Sequence, residues 1–83
     1  MRIDKFLKVS RLIKRRTVAN DACDAGRISV NGKSVKPSYD VKIGDVITIG
    51  FGTKALSAKV LSLQPTANKA ECAEMFEIIN NNN

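Results

Sequence analysis

The chain has 83 residues, 43% of them hydrophobic and 27% charged, with two cysteines, no histidine and a formal net charge of +6 at pH 7. That is enough for one small domain with one modest core, and the apolar share argues against a disordered chain. The missing histidine and the wide separation of the cysteines exclude zinc-finger ligand sets and histidine-based catalysis, and no apolar run approaches the roughly 18 residues of a membrane span, so no metal, cofactor or membrane partner is expected.

In RIDKFLKVS, Ile3, Phe6 and Leu7 follow helical spacing while Arg2, Lys5 and Lys8 fall away from them, which predicts a short amphipathic helix over residues 3 to 9 that breaks at Ser10. Val18, Ala19, Ala22, Cys23 and Ala25 predict a second helix from about Arg15 to Ala25 with a face of small residues, capped by Gly26. The period then changes from helical to alternating. Ile28 and Val30 lead into Asn31-Gly32, a strong two-residue hairpin turn, with Val35 on the returning side. Residues 37 to 40 form a loop, Gly44-Asp45 a turn, and VITIGF an alternating strand from Val46 to Phe51. After Gly52 a further strand follows, with Leu56, Ala58 and Val60 on one face. Pro65 is expected to end the sheet. A short acidic helix is predicted near residues 67 to 75, then an apolar segment from Met75 to Ile79 that packs back on the sheet, and a frayed tail of asparagines from 80 to 83.

Charge is unevenly distributed along this order. Up to Lys36 there are ten basic residues against three acidic ones, and beyond it four against five. The excess therefore belongs to one part of the chain, which points to a surface facing a polyanion rather than to general solubility. RLIKRRTVAN concentrates the effect at the start of the second helix, where the unpaired backbone N–H groups already carry partial positive charge. Uncompensated cations there oppose local stability, so a partner is the simpler explanation. Cys23 and Cys72 read as reduced packing residues, and the default address is the cytosol.

The combination of Arg-Ile-Asp-Lys opening the first helix, Arg16 opening the second, Gly26-Arg27 before Ile28 and Val30, Asn31-Gly32, Val35-Lys36-Pro37 and the Gly44-Asp45 turn resembles the S-four-type RNA-binding domain, also called the alpha-L motif. Within that superfamily the brevity of the chain and its IDKFLKVSRLIKRRT run resemble the stand-alone group of heat-shock protein fifteen and the RqcP-type quality-control factors, and lie nearer the latter. The resemblance implies an α+β fold with two N-terminal helices on a small antiparallel or mixed sheet. It places the RNA-binding domain at residues 1 to 64, followed by a short helix and tail at 65 to 83. It also implies a non-catalytic monomer bound to large-subunit rRNA and peptidyl-tRNA on obstructed large ribosomal subunits, working with a factor that recruits alanyl-tRNA to extend stalled chains with alanine.

Arg2 and Arg16 match the family's positions and are the first candidates for RNA contact, then Lys5, Arg11, Lys14 and Arg15, with Lys8, Arg27, Lys33 and Lys36 extending the surface. Arginine suits this task because its planar fork can hold one phosphate through two hydrogen bonds. The bland alternative pairs Arg2 and Arg16 with Asp4 or Asp21 in structural salt bridges. Asp4 itself would be repelled by phosphate and is read as a helix-start or arginine-orienting residue. Phe6, Phe51 and Phe76 sit in apolar patterns, which leaves Tyr39 as the lone aromatic in a polar loop and argues against a base-stacking platform. Two other functions compete: a tail-free recycler of the heat-shock protein fifteen kind, and a detached targeting domain of an RNA-modifying enzyme. No nucleophile–base pair or cofactor loop supports the second.

Overall fold

Helix α1 spans Ile3–Val9 and α2 spans Arg16–Asp24, close to the expected limits. The expected face of α1 is the one that is buried: Ile3, Phe6 and Leu7 are inaccessible, while Lys8 is exposed. The N-cap residue, Arg2, makes no side-chain capping bond. Instead Ile3 N donates to the Tyr39 carbonyl at 2.8 Å and Asp4 N to the Pro37 carbonyl at 3.3 Å, so a loop more than thirty residues away satisfies its first backbone donors. Ser10 closes the helix, its backbone N–H donating to Phe6 O at 2.9 Å. Arg11 follows with φ 63°, in the left-handed region that favours glycine.

Helix α2 buries a narrower stripe than expected. Ala19 and Cys23 are buried and Ala22 packs beside them, but Val18 is 51% exposed and Ala25 is exposed. Residues 19, 22 and 23 keep the i, i+3, i+4 spacing that faces α1, and 18 and 25 lie off that line. Gly26, at φ 75°, ends the helix as predicted: its N–H donates to Cys23 O at 3.0 Å and that of Arg27 to Ala22 O at 2.9 Å, the paired bonds of a Schellman cap.

Five strands form one sheet in the order β2-β1-β3-β4-β5, with every neighbouring pair antiparallel. They are β1 (Ile28–Val30), β2 (Lys33–Ser34), β3 (Val46–Phe51), β4 (Lys54–Val60) and β5 (Phe76–Asn82). The computed structural model describes residues 1–82. Asn31 and Gly32 make the expected two-residue turn, both with positive φ, at 51° and 87°. Alternation along β1, β3 and β4 turns Ile28, Val30, Ile47, Ile49, Ala58 and Val60 inward, where Val41 and Met75 join the residues of the two helices.

The end of the chain departs from expectation. The predicted acidic helix shrinks to one turn, α3 (Lys69–Cys72), held by a capping box in which Asn68 Oδ1 accepts from Glu71 N and Glu71 returns the bond to Asn68 N. Pro65 does not end the sheet, because β5 adds a fifth strand beside β4. The fraying expected of the asparagine tail is likewise corrected for Asn80, Asn81 and Asn82, whose backbones pair with Ser57, Leu56 and Ala55; Asn83 lies outside the described residues. Weak strand propensity at asparagine is overridden by the open edge of β4, which offers a ladder of unpaired backbone groups. A register shift between Ser57 and Ala58 leaves Ile79 as the extra residue of a bulge. Of the predicted apolar segment Met75 is fully buried and Phe76 packs on the core, whereas Ile78 and Ile79 are 44% and 49% exposed.

Candidate nucleic-acid interface

Asp4 lies in the first turn of α1 and is buried, its side chain 3% exposed. Its carboxylate is the centre of a five-donor network. Arg2 grips it with both arms of its fork, Nε donating to Oδ1 at 3.2 Å and Nη2 to Oδ2 at 3.1 Å. Arg16 Nη2 donates to Oδ1 at 3.4 Å, Asn20 Nδ2 to Oδ2 at 3.4 Å and Lys5 N to Oδ1 at 2.7 Å. Burial on its own would raise the pKa of Asp4, but the hydrogen bonds from Arg2, Arg16, Asn20 and Lys5 outweigh it and hold the carboxyl below its usual range.

Two helices are thus tied together by charges that remain half in solvent. The side chains of Arg2 and Arg16 are 50% and 47% exposed although both touch a buried partner. Each guanidinium has five N–H groups, and Asp4 occupies two from Arg2 and one from Arg16. The remainder stand at the rim of a shallow depression of about 350 Å³. The salt-bridge alternative is therefore correct for Asp4, and it leaves both arginines equipped to hold an anion. Asp21, the other acid considered, forms no ion pair among the described residues.

A second group of cations gathers around the other end of α1. Lys8, Arg11 and Lys14 line a cleft of about 660 Å³ with Val9, Leu12 and the 65–67 loop, and no acidic side chain lines it. The left-handed backbone at Arg11 turns the chain here, at a steric penalty of about 1–2 kcal/mol. Nothing in the sequence marks that conformation, because arginine is not a residue that favours it.

Arg15 is the N-cap residue of α2, exposed and without a capping hydrogen bond from its side chain, and the first turn of that helix holds no acid. Its leading backbone N–H groups are therefore open to an anion, as the charge reading required. Arg27, Lys33 and Lys36 are exposed along the hairpin and line neither depression. The structure accordingly gathers Arg2 and Arg16 about one carboxylate, which Lys5 meets only through its backbone N–H, and Lys8, Arg11 and Lys14 about one cleft, and it leaves the hairpin cations apart. Asn20 escaped the sequence reading, though its position four residues after Arg16 places it on the same helical face. Tyr39 is half-buried, its hydroxyl donating to Asp45 Oδ2 at 3.4 Å, which removes it as an exposed stacking ring. Both cysteines are free and buried; burial, with the charges of Asp4 and Asp24, pushes the Cys23 thiol up to about 11, which fits an inert packing residue.

Comparison with known proteins agrees with this geometry. The S4 domain family matches residues 1–47, the stretch that carries both helices, the hairpin and every cation of the two clusters. RQC P-site tRNA stabilizing factor of Bacillus subtilis is 54% identical over 79 residues, covering 95% of this chain and 92% of that one. Its counterpart in Listeria monocytogenes is 53% identical over 79 residues, with 95% and 86% covered. Among solved structures, the trimeric structure of heat shock protein 15 from Vibrio cholerae superimposes with a TM-score of 0.87 at 26% identity, over 95% of this chain and 81% of that one. With the helix pair, the hairpin and the Asp4-centred arginines all in place, the chain belongs to the S4 domain family and, within it, to the family of RQC P-site tRNA stabilizing factors.

Proposed function

We propose that the protein is a non-catalytic, monomeric RNA-binding factor of ribosome-associated quality control, acting in the cytoplasm on large ribosomal subunits that retain peptidyl-tRNA. Residues 1 to 64 are its RNA-binding unit and residues 65 to 83 its C-terminal part, in which β5 (Phe76–Asn82) braces the far edge of the sheet. The convergence of Arg2, the N-cap of α1, and Arg16, the first residue of α2, on one buried carboxylate carries the reading, since it fixes two half-exposed guanidinium forks in a set relation. Support comes also from relatives whose name says that they stabilise P-site tRNA.

Duplex RNA presents phosphates and 2′-hydroxyls across a wide, shallow minor groove, while its major groove is too narrow to be read. A rigid helix pair bearing forks suits that surface better than aromatic stacking would. Arg2 and Arg16 hold phosphates first, the open N-terminus of α2 adds backbone donors, and Lys5, Arg11, Lys14 and Arg15 extend the contact, with Lys8, Arg27, Lys33 and Lys36 beyond them. Holding rRNA and peptidyl-tRNA together would keep the obstructed subunit competent while a partner factor recruits alanyl-tRNA for tailing.

A second reading, favoured by the likeness to heat shock protein 15, is recycling of such subunits without tail synthesis. Gradient sedimentation of the tagged protein, with crosslinked RNA sequenced and nascent chains analysed, separates the two. Free large subunits carrying peptidyl-tRNA and alanine-tailed chains are the expected result. Untailed chains would favour recycling, and a protein absent from large subunits would refute both.

A further inference from the structure

The depression beside Asp4 is lined by Arg2, Asp4, Arg16, Thr17, Asn20 and Asp21. Residues 16, 17, 20 and 21 occupy one face of α2 by the i, i+1, i+4, i+5 pattern, so donors and acceptors stand side by side there. Asp4 is fully engaged, its carboxylate accepting from five donors. Asn20 donates one amide hydrogen to Asp4, which leaves its Oδ1 as an acceptor. The hydroxyl of Thr17 and the carboxylate of Asp21 are exposed and take part in no side-chain hydrogen bond or ion pair among the described residues. A phosphate could use the Thr17 hydroxyl as a donor, but it has no use for the Asp21 carboxylate, which is acceptor-only and repelled by phosphate.

Within a nucleic-acid backbone one group can supply the missing hydrogen. The ribose 2′-hydroxyl both donates and accepts, it borders the phosphates along the minor groove of duplex RNA, and DNA lacks it. We infer that Asp21 accepts the hydrogen of a ribose 2′-hydroxyl next to a phosphate held by Arg2 and Arg16, with the Thr17 hydroxyl donating to the same 2′-oxygen, so that this face of α2 distinguishes RNA from DNA. The inference rests on the RNA-binding reading above and adds the chemical group that is recognised. Asp21 thereby changes from a local electrostatic obstacle into a selectivity element, offset by a charge-assisted hydrogen bond that only ribose can complete.

The sign of one substitution decides the matter. Binding is measured for the full chain on a fully paired RNA hairpin and on the same hairpin with 2′-fluoro sugars, which stay A-form but carry no donor hydrogen. The wild-type protein should prefer the hydroxyl duplex by about tenfold, the worth of one hydrogen bond to a charged acceptor. Asp21→Ala should weaken binding to the RNA hairpin and tighten or spare binding to the fluoro hairpin, collapsing that preference; Thr17→Val should reduce it in part. Both sites are exposed, and alanine favours a helix, so thermal melting should show both variants folded. If Asp21→Ala tightened binding to both duplexes equally, Asp21 would be only a repulsive charge and the inference would fall. Equal binding of both hairpins by the wild type overturns the inference alone, whereas failure to bind either overturns the RNA-binding reading as well.

Discussion

The two cationic regions of the molecule differ in what holds their charges. Around Asp4 the arginines are oriented by a buried carboxylate that leaves part of each fork in solvent, whereas Lys8, Arg11 and Lys14 surround a cleft with no acid to orient them. The first region loses little side-chain freedom when a ligand arrives because the protein has already ordered it; the second must order three long side chains at that moment. If both regions meet RNA as proposed, geometric selectivity would come from the Asp4 region and the salt-sensitive, shape-tolerant share of affinity from the cleft.

Arg16→Glu is the largest perturbation of this contrast. It replaces the donor that lies 3.4 Å from Asp4 Oδ1 with a shorter, like-charged side chain and reverses charge at the opening of α2, so association with large subunits should fall by more than about a hundredfold in sedimentation or filter binding while the domain stays folded. An unchanged gradient profile would remove Arg16 from the interface.

Asp4→Asn should come next. The amide keeps one acceptor oxygen but puts an NH2 donor where Arg2 and Asn20 donate, for a stability loss of about 1–3 kcal/mol and roughly tenfold weaker RNA binding. Because the folded-state pKa of Asp4 is lowered, the stability it contributes is fully present above the ordinary carboxylate range and is lost as pH falls through the depressed value. Acid unfolding of the wild type should carry that dependence and the Asn variant should lack it. Identical acid profiles would show that the network adds nothing.

Neutralising the cleft by Lys8→Gln, Arg11→Gln and Lys14→Gln should act differently. Stability should stay within about 0.5 kcal/mol, since all three are exposed, while the slope of log affinity against log salt should flatten by roughly 2 from a starting value near −4. A slope that does not change would take the cleft out of RNA contact. The smallest expected effect is that of Arg11→Gly: relief of the left-handed strain, partly cancelled by the backbone entropy of glycine, should raise stability by about 0.5 kcal/mol in denaturant titration and weaken RNA binding slightly. A stability loss would mean that the arginine side chain supports the turn.

Much of the frame was legible because its signals are local. Ile3, Phe6 and Leu7 repeat with the helix period, Gly26 supplies the left-handed cap and Asn31-Gly32 the hairpin turn, each needing only a few neighbouring residues. Strand β5 was not legible: its bulge at Ile79 breaks the alternation that marks strands, and asparagine has little strand preference of its own. The exposure of Val18 likewise depends on where α1 crosses α2, which one helix alone does not reveal. At the interface, the role of Asp4 could be argued from electrostatics, but Asn20 and the backbone of Arg11 required the tertiary arrangement.

The cap of α1 has a further consequence. Its first N–H groups are satisfied by carbonyls of Tyr39 and Pro37, and the backbone of Arg2 pairs with that of Asp40 in an isolated antiparallel bridge, so Arg2 is pinned by a loop beyond the hairpin. The helix pair would therefore not present its paired forks on its own, and the chain must close this loop before it can recognise its target. Presentation of the paired forks then reports that the loop at residues 37–40 has closed on the start of α1, so a chain lacking that loop would lack the arrangement too.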